Sequence, residues 1–337
     1  MNGNGKPSVK RISEITGFST ATVSNALNMK KGVNKETAER IFQVAEEIGY
    51  LSASKELRSI RFVLFRRNGA IVDGSTFHPF VIEGVEQEAK ENGLSTLFVQ
   101  LDYHAENYEE QLNKILMEAN SGVILLATEM LEEDFVPFVN CRSPLVLLDG
   151  WSSRANFSGV MINNMDSSLH VVDYLVEQGH RKIGYIRGSY RIQAFWSREY
   201  GYRQGMLNHG LEVRPEWVVT VGTKTETACA DMMKWMETKP ELPTAFFVDD
   251  DQIAYGIMQA LVKNGIRIPE DISIVGFDDL AYSAVSVPAL TTIRVHKQEM
   301  GREAVRRLLT CTSGRKERVK VEICTDFIER ESVCRIR

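Results

Sequence analysis

Two periodicities divide the chain. Residues 8–50 carry apolar positions at helical spacing in short pieces: Val9, Ile12 and Ile15, then Phe18, Val23, Ala26 and Leu27, then Ile41, Val44, Ala45 and Ile48. From Arg61 onward, short apolar runs alternate with amphipathic stretches. The runs are 62–65, 95–99, 122–127, 144–149, 159–162, 182–186, 244–248 and 272–277. Helical patterns fill 80–92, 106–119, 165–179, 197–210, 225–238, 251–265 and 297–309. Near-continuous apolar strands joined by helices indicate parallel strands covered on both faces. Roughly ten such units overfill one sheet. The predicted fold is therefore α/β, with two lobes of doubly wound parallel sheet behind a small all-α domain. The boundaries are 1–51 for the helical domain, 52–60 for a polar linker and 61–337 for the two-lobed part.

The helical part has internal punctuation. Ser8 is placed to cap a first helix over about 9–16, Gly17 breaks it, and Ser19 caps a second, TATVSNAL. Asn34 and Thr37 announce a third. A short helix, a glycine turn and a capped second helix make the helix-turn-helix plan, whose second helix offers its N-terminal side chains to a DNA groove. Thr20, Ala21 and Asn25 face outward if Val23 and Leu27 face in. Asn25 suits two-pronged pairing with adenine and Ala21 a thymine methyl. Ser19, Thr22 and Lys35 are candidates for phosphate contacts. A three-helix cap or protein-interaction module with solvated polar residues fits the same spacing.

Charge sharpens this. The chain's formal charge is −5. Residues 1–60 hold nine Lys/Arg against six Asp/Glu, and the remainder 31 against 39, so only the first part carries a positive excess. No apolar run approaches a membrane span, and the N-terminus lacks the apolar stretch of an export signal, so a cytoplasmic protein with no membrane partner is expected. Five scattered cysteines without a C-x-x-C pair read as free thiols, and six histidines show no ligand spacing, so neither metal nor cofactor is expected.

In open α/β sheets, ligands bind outside the carboxyl ends of the strands. The residues following the apolar runs there are Asp149, Asn163 and Asn164, Arg187 with Phe195, Trp196 and Arg198, then Asp249 to Asp251, then Asp278 and Asp279. Phe77 and His78 precede the first long helix of this part. Carboxylates, an Arg fork and aromatic rings suit a polyhydroxylated ligand. Asp251 can equally cap the helix that follows it, Asp278 can be a turn residue, and Arg198 can form an ion pair with Asp251 or Asp278. Phosphate-loop, zinc-protease, nucleophile-elbow and dinucleotide motifs are absent, which disfavours an enzyme of the doubly wound class. A solute-binding protein is the other rival.

Residues 6–50, with the I-x-x-I-T-G-F-S entry, T-V-S-N-A-L-N, V-N-K-E-T-A-E-R-I and a closing E-I-G-Y, resemble the DNA-binding headpiece of the LacI/GalR family. The rest is similar to that family's periplasmic-binding-protein-like effector domain. S-R-E-Y-G-Y (197–202), D-D-D-Q-I-A-Y-G (249–256), G-I-R-I-P-E-D-I-S-I-V-G-F-D-D (265–279) and P-A-L-T-T-I (288–293) carry that likeness. The resemblance implies a repressor acting as a homodimer on a palindromic double-stranded operator, controlled by a small-molecule effector, most simply a sugar or sugar derivative. It puts Thr20, Ala21 and Asn25 at base-reading positions, with Asn25 where many members carry Arg. It puts Phe77, His78, Asp149, Arg198, Asp251 and Asp278 at the effector pocket, with Asn163 and Thr223 beside them. Gly150 stands where purine-binding members often have Trp, which disfavours a purine. The family's Pro-Asn-x-x-Ala-x-x-Leu hinge is missing from the linker. Leu57 is then either a minor-groove wedge or part of a plain tether packed on the core.

Overall fold

The computed structural model describes residues 7–27, 32–48, 50, 57–118, 121–312 and 317–336. The chain forms two compact units, a small helical one at the N-terminus and a large one that begins at Leu57.

In the small unit, α1 (Val9–Thr16) starts where Ser8 Oγ accepts from the Arg11 N–H at 3.3 Å. It stops at Gly17, whose φ of 75° suits a residue without a β-carbon. Ser19 Oγ accepts from Thr22 N–H at 3.0 Å and opens α2 (Thr20–Leu27). Asn34 Oδ1 accepts from Thr37 N–H at 2.7 Å and opens α3 (Lys35–Glu47). Ile12, Val23, Ala26, Ile41, Val44 and Ala45 are buried together, with Val9, Phe18 and Leu27 at the margin. Ile15, expected in this core, is 48% exposed. The buried stripe of α1 is centred on Ile12, and Ile15 lies on the flank opposite Val9 and Thr16.

The large unit is two α/β lobes. In lobe 1 the strands β1 (Ser59–Arg66), β2 (Ser95–Asp102), β3 (Gly122–Leu126), β4 (Leu145–Leu148), β5 (Ser158–Ile162) and β11 (Lys320–Ile323) form one parallel sheet, ordered β11-β5-β4-β3-β1-β2. Alternate residues serve opposite faces. Ile60, Phe62, Ile124 and Leu126 pack under α4 (His78–Glu91) and α10 (Lys297–Thr312). Val63, Phe65, Val123 and Leu125 pack under α5 (Tyr108–Met117) with Phe135 and Phe138. Lobe 2 has β6 (Ile183–Gly188), β7 (Val218–Val221), β8 (Ala245–Val248) and β9 (Ser273–Val275), in the parallel order β7-β6-β8-β9. Helices α6 (Asn164–Glu177) and α7 (Gln193–Asn208) cover one face, α8 (Thr225–Glu237) and α9 (Asp251–Lys263) the other. Glycines bring α6 and α7 close: a β-carbon on Gly201 would stand 2.5 Å from the Met165 carbonyl oxygen.

The chain passes between lobes three times: after β5, along β10 (Thr292–Val295) and along β12 (Thr325–Ile328), the last two pairing antiparallel. The final residues return to lobe 2, where Ile274 N–H donates to the Ser332 carbonyl at 2.8 Å. The eight apolar runs are all strands, and β7, β10, β11 and β12 are additional. Ser59 and Ile60, assigned from sequence to the linker, belong to β1 and pair with Ser95 and Thr96. The linker's residues 52–56 lie outside the described ones.

Candidate functional site

On the small unit, Ser19, Thr20 and Ala21 are exposed at the start of α2, and Thr22 and Asn25 are half-buried beside them. Val23 and Ala26 anchor the opposite face. This polar, N-terminal face is the part of such a helix that reaches a groove. The backbone of Lys35 opens α3, and its side chain lies outside the described residues. Leu57 belongs to the large unit, half-buried against the core of lobe 1 next to Gly122.

In the large unit, a cleft lies where the carboxyl ends of both parallel sheets face each other. Lobe 1 contributes Phe77 and His78 at the start of α4, Thr128 beyond β3, Asp149 beyond β4 and Ile162 at the end of β5. Lobe 2 contributes Phe195 and Arg198 of α7, Thr223 beyond β7, Asp250 beyond β8 and Asp278 beyond β9. Asp149 and Asp278 hold left-handed backbone, with φ of 57° and 107°, a conformation Asp tolerates better than most residues. Such residues gather at ligand sites because the surrounding fold must hold them there.

Arg198 organises the floor. Only 3% exposed, it donates from Nε to Asn164 Oδ1 at 2.8 Å, from Nη1 to the Asp249 carbonyl and from Nη2 to Asp278 Oδ1 at 3.2 Å. Its guanidinium lies 3.6 Å from the centre of the Phe277 ring, where the aromatic face attracts a cation. Asp249 is a buried strut below the cleft, accepting from Tyr185 Oη, Gly188 N–H and Arg191. A second buried carboxylate shapes the rim. Glu129, fully buried, accepts from the backbone N–H groups of Arg67, Asn68 and Gly69 on one oxygen and of Ile71 and Val72 on the other, at 2.7–3.1 Å. The loop held this way bridges the lobes: Thr223 Oγ1 donates to the Ala70 carbonyl at 2.9 Å, and Lys224 Nζ donates to that of Asp73. The Gln193 side-chain amide makes a second bridge, pairing with both N–H and C=O of Trp151.

Comparison with known proteins gives this arrangement a context. Residues 9–52 match bacterial regulatory proteins of the lacI family, and residues 172–333 match the periplasmic binding protein-like domain. The chain is 30% identical over 332 residues to the HTH-type transcriptional repressor PurR of Haemophilus influenzae (strain PittEE), covering 96% of this chain and 98% of that protein. This chain belongs to the LacI family. It is a DNA-binding transcriptional regulator, and its relatives are repressors, not enzymes. The ribose operon repressor of Haemophilus influenzae (strain ATCC 51907 / DSM 11121 / KW20 / Rd) is 28% identical over 304 residues, covering 89% of this chain and 90% of that one. Among solved structures, the transcriptional regulator CelR–cellobiose complex superposes with a TM-score of 0.72 at 24% identity, covering 97% of this chain and all of that one. The lac repressor dimer bound to operator and the anti-inducer ONPF gives 0.71 at 21%, covering 98% of this chain and all of that one.

Of the effector-pocket residues expected for this LacI-family chain, Phe77, His78, Asp149, Arg198, Thr223 and Asp278 line the cleft together. Asp251 and Asn163 do not. Asp251 turns into the core and accepts from Leu280 N–H, Ser283 Oγ and Thr292 Oγ1 at 2.6–2.9 Å. It is Asp250 that faces the cleft, while capping α9 through Ile253 N–H. Asn163 caps α6 and pairs with Asp166, and Asn164 reaches Arg198. Successive residues at a helix start point about 100° apart, so a one-residue difference exchanges cleft for core. Thr128 and Glu129 are contributors that sequence reasoning missed, and Asp250, named after its strand, was absent from the pocket positions that the resemblance implied. The only available signal was position after a predicted strand.

Burial pushes the Asp149 and Asp249 carboxyls up to about 6 and that of Asp251 to about 7. Folded, Asp251 binds a proton more tightly than in the unfolded chain, so its contribution to stability falls as pH rises from about 4 through about 7. Buried His78, held down at about 4, acts in the opposite sense. Asp251→Asn isolates the carboxyl: the stability of wild type relative to this variant should fall as pH rises from about 5 to about 8. Urea midpoints at several pH values measure it, and a pH-independent difference would show that Asp251 stays ionised.

Proposed function

We propose that this chain is a cytoplasmic repressor that binds a palindromic operator as a homodimer through α2, and that its interlobe cleft takes a sugar-like polyol that switches it. The cleft carries the effector half. Asp149, Asp250 and Asp278 accept from hydroxyls, Arg198 donates from a planar fork, and the Phe77 and Phe195 rings offer apolar faces for a sugar ring. The names of two relatives, a ribose operon repressor and a cellobiose complex, point the same way. The ligand switches the protein by binding one of two lobe arrangements more tightly, which takes a differential affinity of a few kcal/mol.

The effector half is tested by thermal melting of the full chain with D-ribose, cellobiose and hypoxanthine. A bound ligand at about a hundredfold its Kd adds about 2.7 kcal/mol of stability. A shift with hypoxanthine alone would replace the sugar by a flat heterocycle held between the rings. For the DNA half, Asn25→Ala should cost about 1–3 kcal/mol at one base position of each half-site and leave the others unchanged. Fluorescence anisotropy against a set of single-base operator variants reads this, and an unaltered preference would remove Asn25 from the reading face. No helix among the described residues is long and apolar enough to cross a membrane.

A further inference from the structure

His78 opens α4 at the cleft wall and is only 4% exposed. Its Nε2 lies 3.3 Å from Thr128 Oγ1, and that hydroxyl lies 2.7 Å from Asp149 Oδ2. Its Nδ1 is buried and has no hydrogen-bond partner among the described residues. These contacts have a fixed direction. An ionised carboxylate only accepts, so the single Thr128 proton goes to Asp149. The Thr128 oxygen can then only accept from the ring, which puts the imidazole proton on Nε2. A neutral ring protonated there leaves Nδ1 as a bare lone pair. A buried acceptor left without a donor is costly, and a donor from the ligand relieves that cost.

The rest of the lining has the same bias. Asp149, Asp250 and Asp278 bring carboxyl oxygens, whereas the Thr223 hydroxyl is committed to Ala70 and three of the five Arg198 N–H groups go to Asn164, Asp249 and Asp278. A phosphate dianion or a carboxylate has no proton to give a bare Nδ1, so an anionic group placed there meets lone-pair repulsion.

We propose that His78 is a specificity-determining acceptor: the Asp149–Thr128 relay presents its Nδ1 to an O–H or N–H of the effector, and the ligand class is a donor-rich polyol or amine without phosphate or carboxylate. This rests on the effector reading of the cleft. Burial holds the His78 imidazole neutral, and although it also raises the Asp149 carboxyl, that group reaches only about 6 and stays ionised at neutral pH.

The relay is tested without any ligand. In the full chain carrying ¹⁵N-histidine, with His78 assigned by its loss in His78→Phe, the ring should show a protonated Nε2 and an unprotonated Nδ1 at neutral pH. Thr128→Val should release it to a tautomer mixture. An Nδ1–H ring, or an imidazolium, overturns the proposal.

D-ribose, cellobiose and D-ribose 5-phosphate then probe recognition by calorimetry. The neutral sugar that binds should lose about tenfold or more in His78→Phe, and far less in His78→Asn, whose amide oxygen stands near the Nδ1 position. Equal affinity in wild type and His78→Phe, or preference for the phosphate, overturns it as well. If neither neutral sugar shifts the wild type, the sugar reading of the cleft fails, and the ring tautomer still decides the polarity of His78.

Discussion

Arg198→Met is expected to destabilise the large unit by about 3–5 kcal/mol and to abolish the thermal shift produced by any cleft ligand. Arg198 is buried, and its guanidinium is the positive group that neutralises Asp278 and satisfies Asn164 and the Asp249 carbonyl. Methionine fills much the same volume and keeps the contact with the Phe277 ring, so packing loss is small. What remains is a buried carboxylate without its partner, the expensive half of a broken ion pair. The double variant Arg198→Met with Asp278→Asn should therefore recover part of the stability but none of the ligand response. Urea midpoints and ligand melting curves on the three proteins separate the two effects. A single variant as stable as wild type would mean that Asp278 is protonated and needs no counter-charge.

Glu129→Gln should cost about 2–4 kcal/mol. Glu129 meets backbone donors on both oxygens, so the amide of glutamine must turn its own N–H groups toward either Arg67–Gly69 or Ile71–Val72. Either choice orphans buried donors or forces the loop to open to water. Because the same loop carries the Ala70 and Asp73 carbonyls to lobe 2, its release removes lobe-bridging bonds as well. Hydrogen exchange of the amides 67–72 reads this directly: protected in wild type, fast in the variant. Unchanged protection would show that the loop is held by its other contacts.

The contrast between Glu129 and Arg198 explains what the sequence reveals. Asp149 and Asp278 stand at the carboxyl ends of apolar runs, and Arg198 lies in the first turns of the helix that follows another, where sheet geometry points to a ligand site. Glu129 follows such a run as well, but its role comes from a loop sixty residues earlier, and that pairing has no local signature. The same holds for Thr128, whose part depends on His78 and Asp149 converging on it. Most of the apolar runs were legible because both faces are covered, whereas β2, at the sheet edge, is apolar yet leaves Leu97 and Phe98 exposed. The strands β10 and β11 have polar residues at alternate positions, β12 opens with Thr-Asp, and β7 is only a four-residue run. Ile15 misled because the helix carrying it is short and buries one narrow stripe. Among the three consecutive aspartates, composition could not tell Asp250 from Asp251, since only the helix start decides which one turns outward.

The triple passage between lobes has a consequence for synthesis. Strand β5 is buried throughout and pairs on its outer side with β11, encoded more than 150 residues later. While the ribosome is still making lobe 2, lobe 1 therefore presents a naked hydrophobic flank, and nearly the whole polypeptide must emerge before that flank is sealed. A chain that ends before residue 320 is therefore expected to leave the outer edge of β5 unpaired.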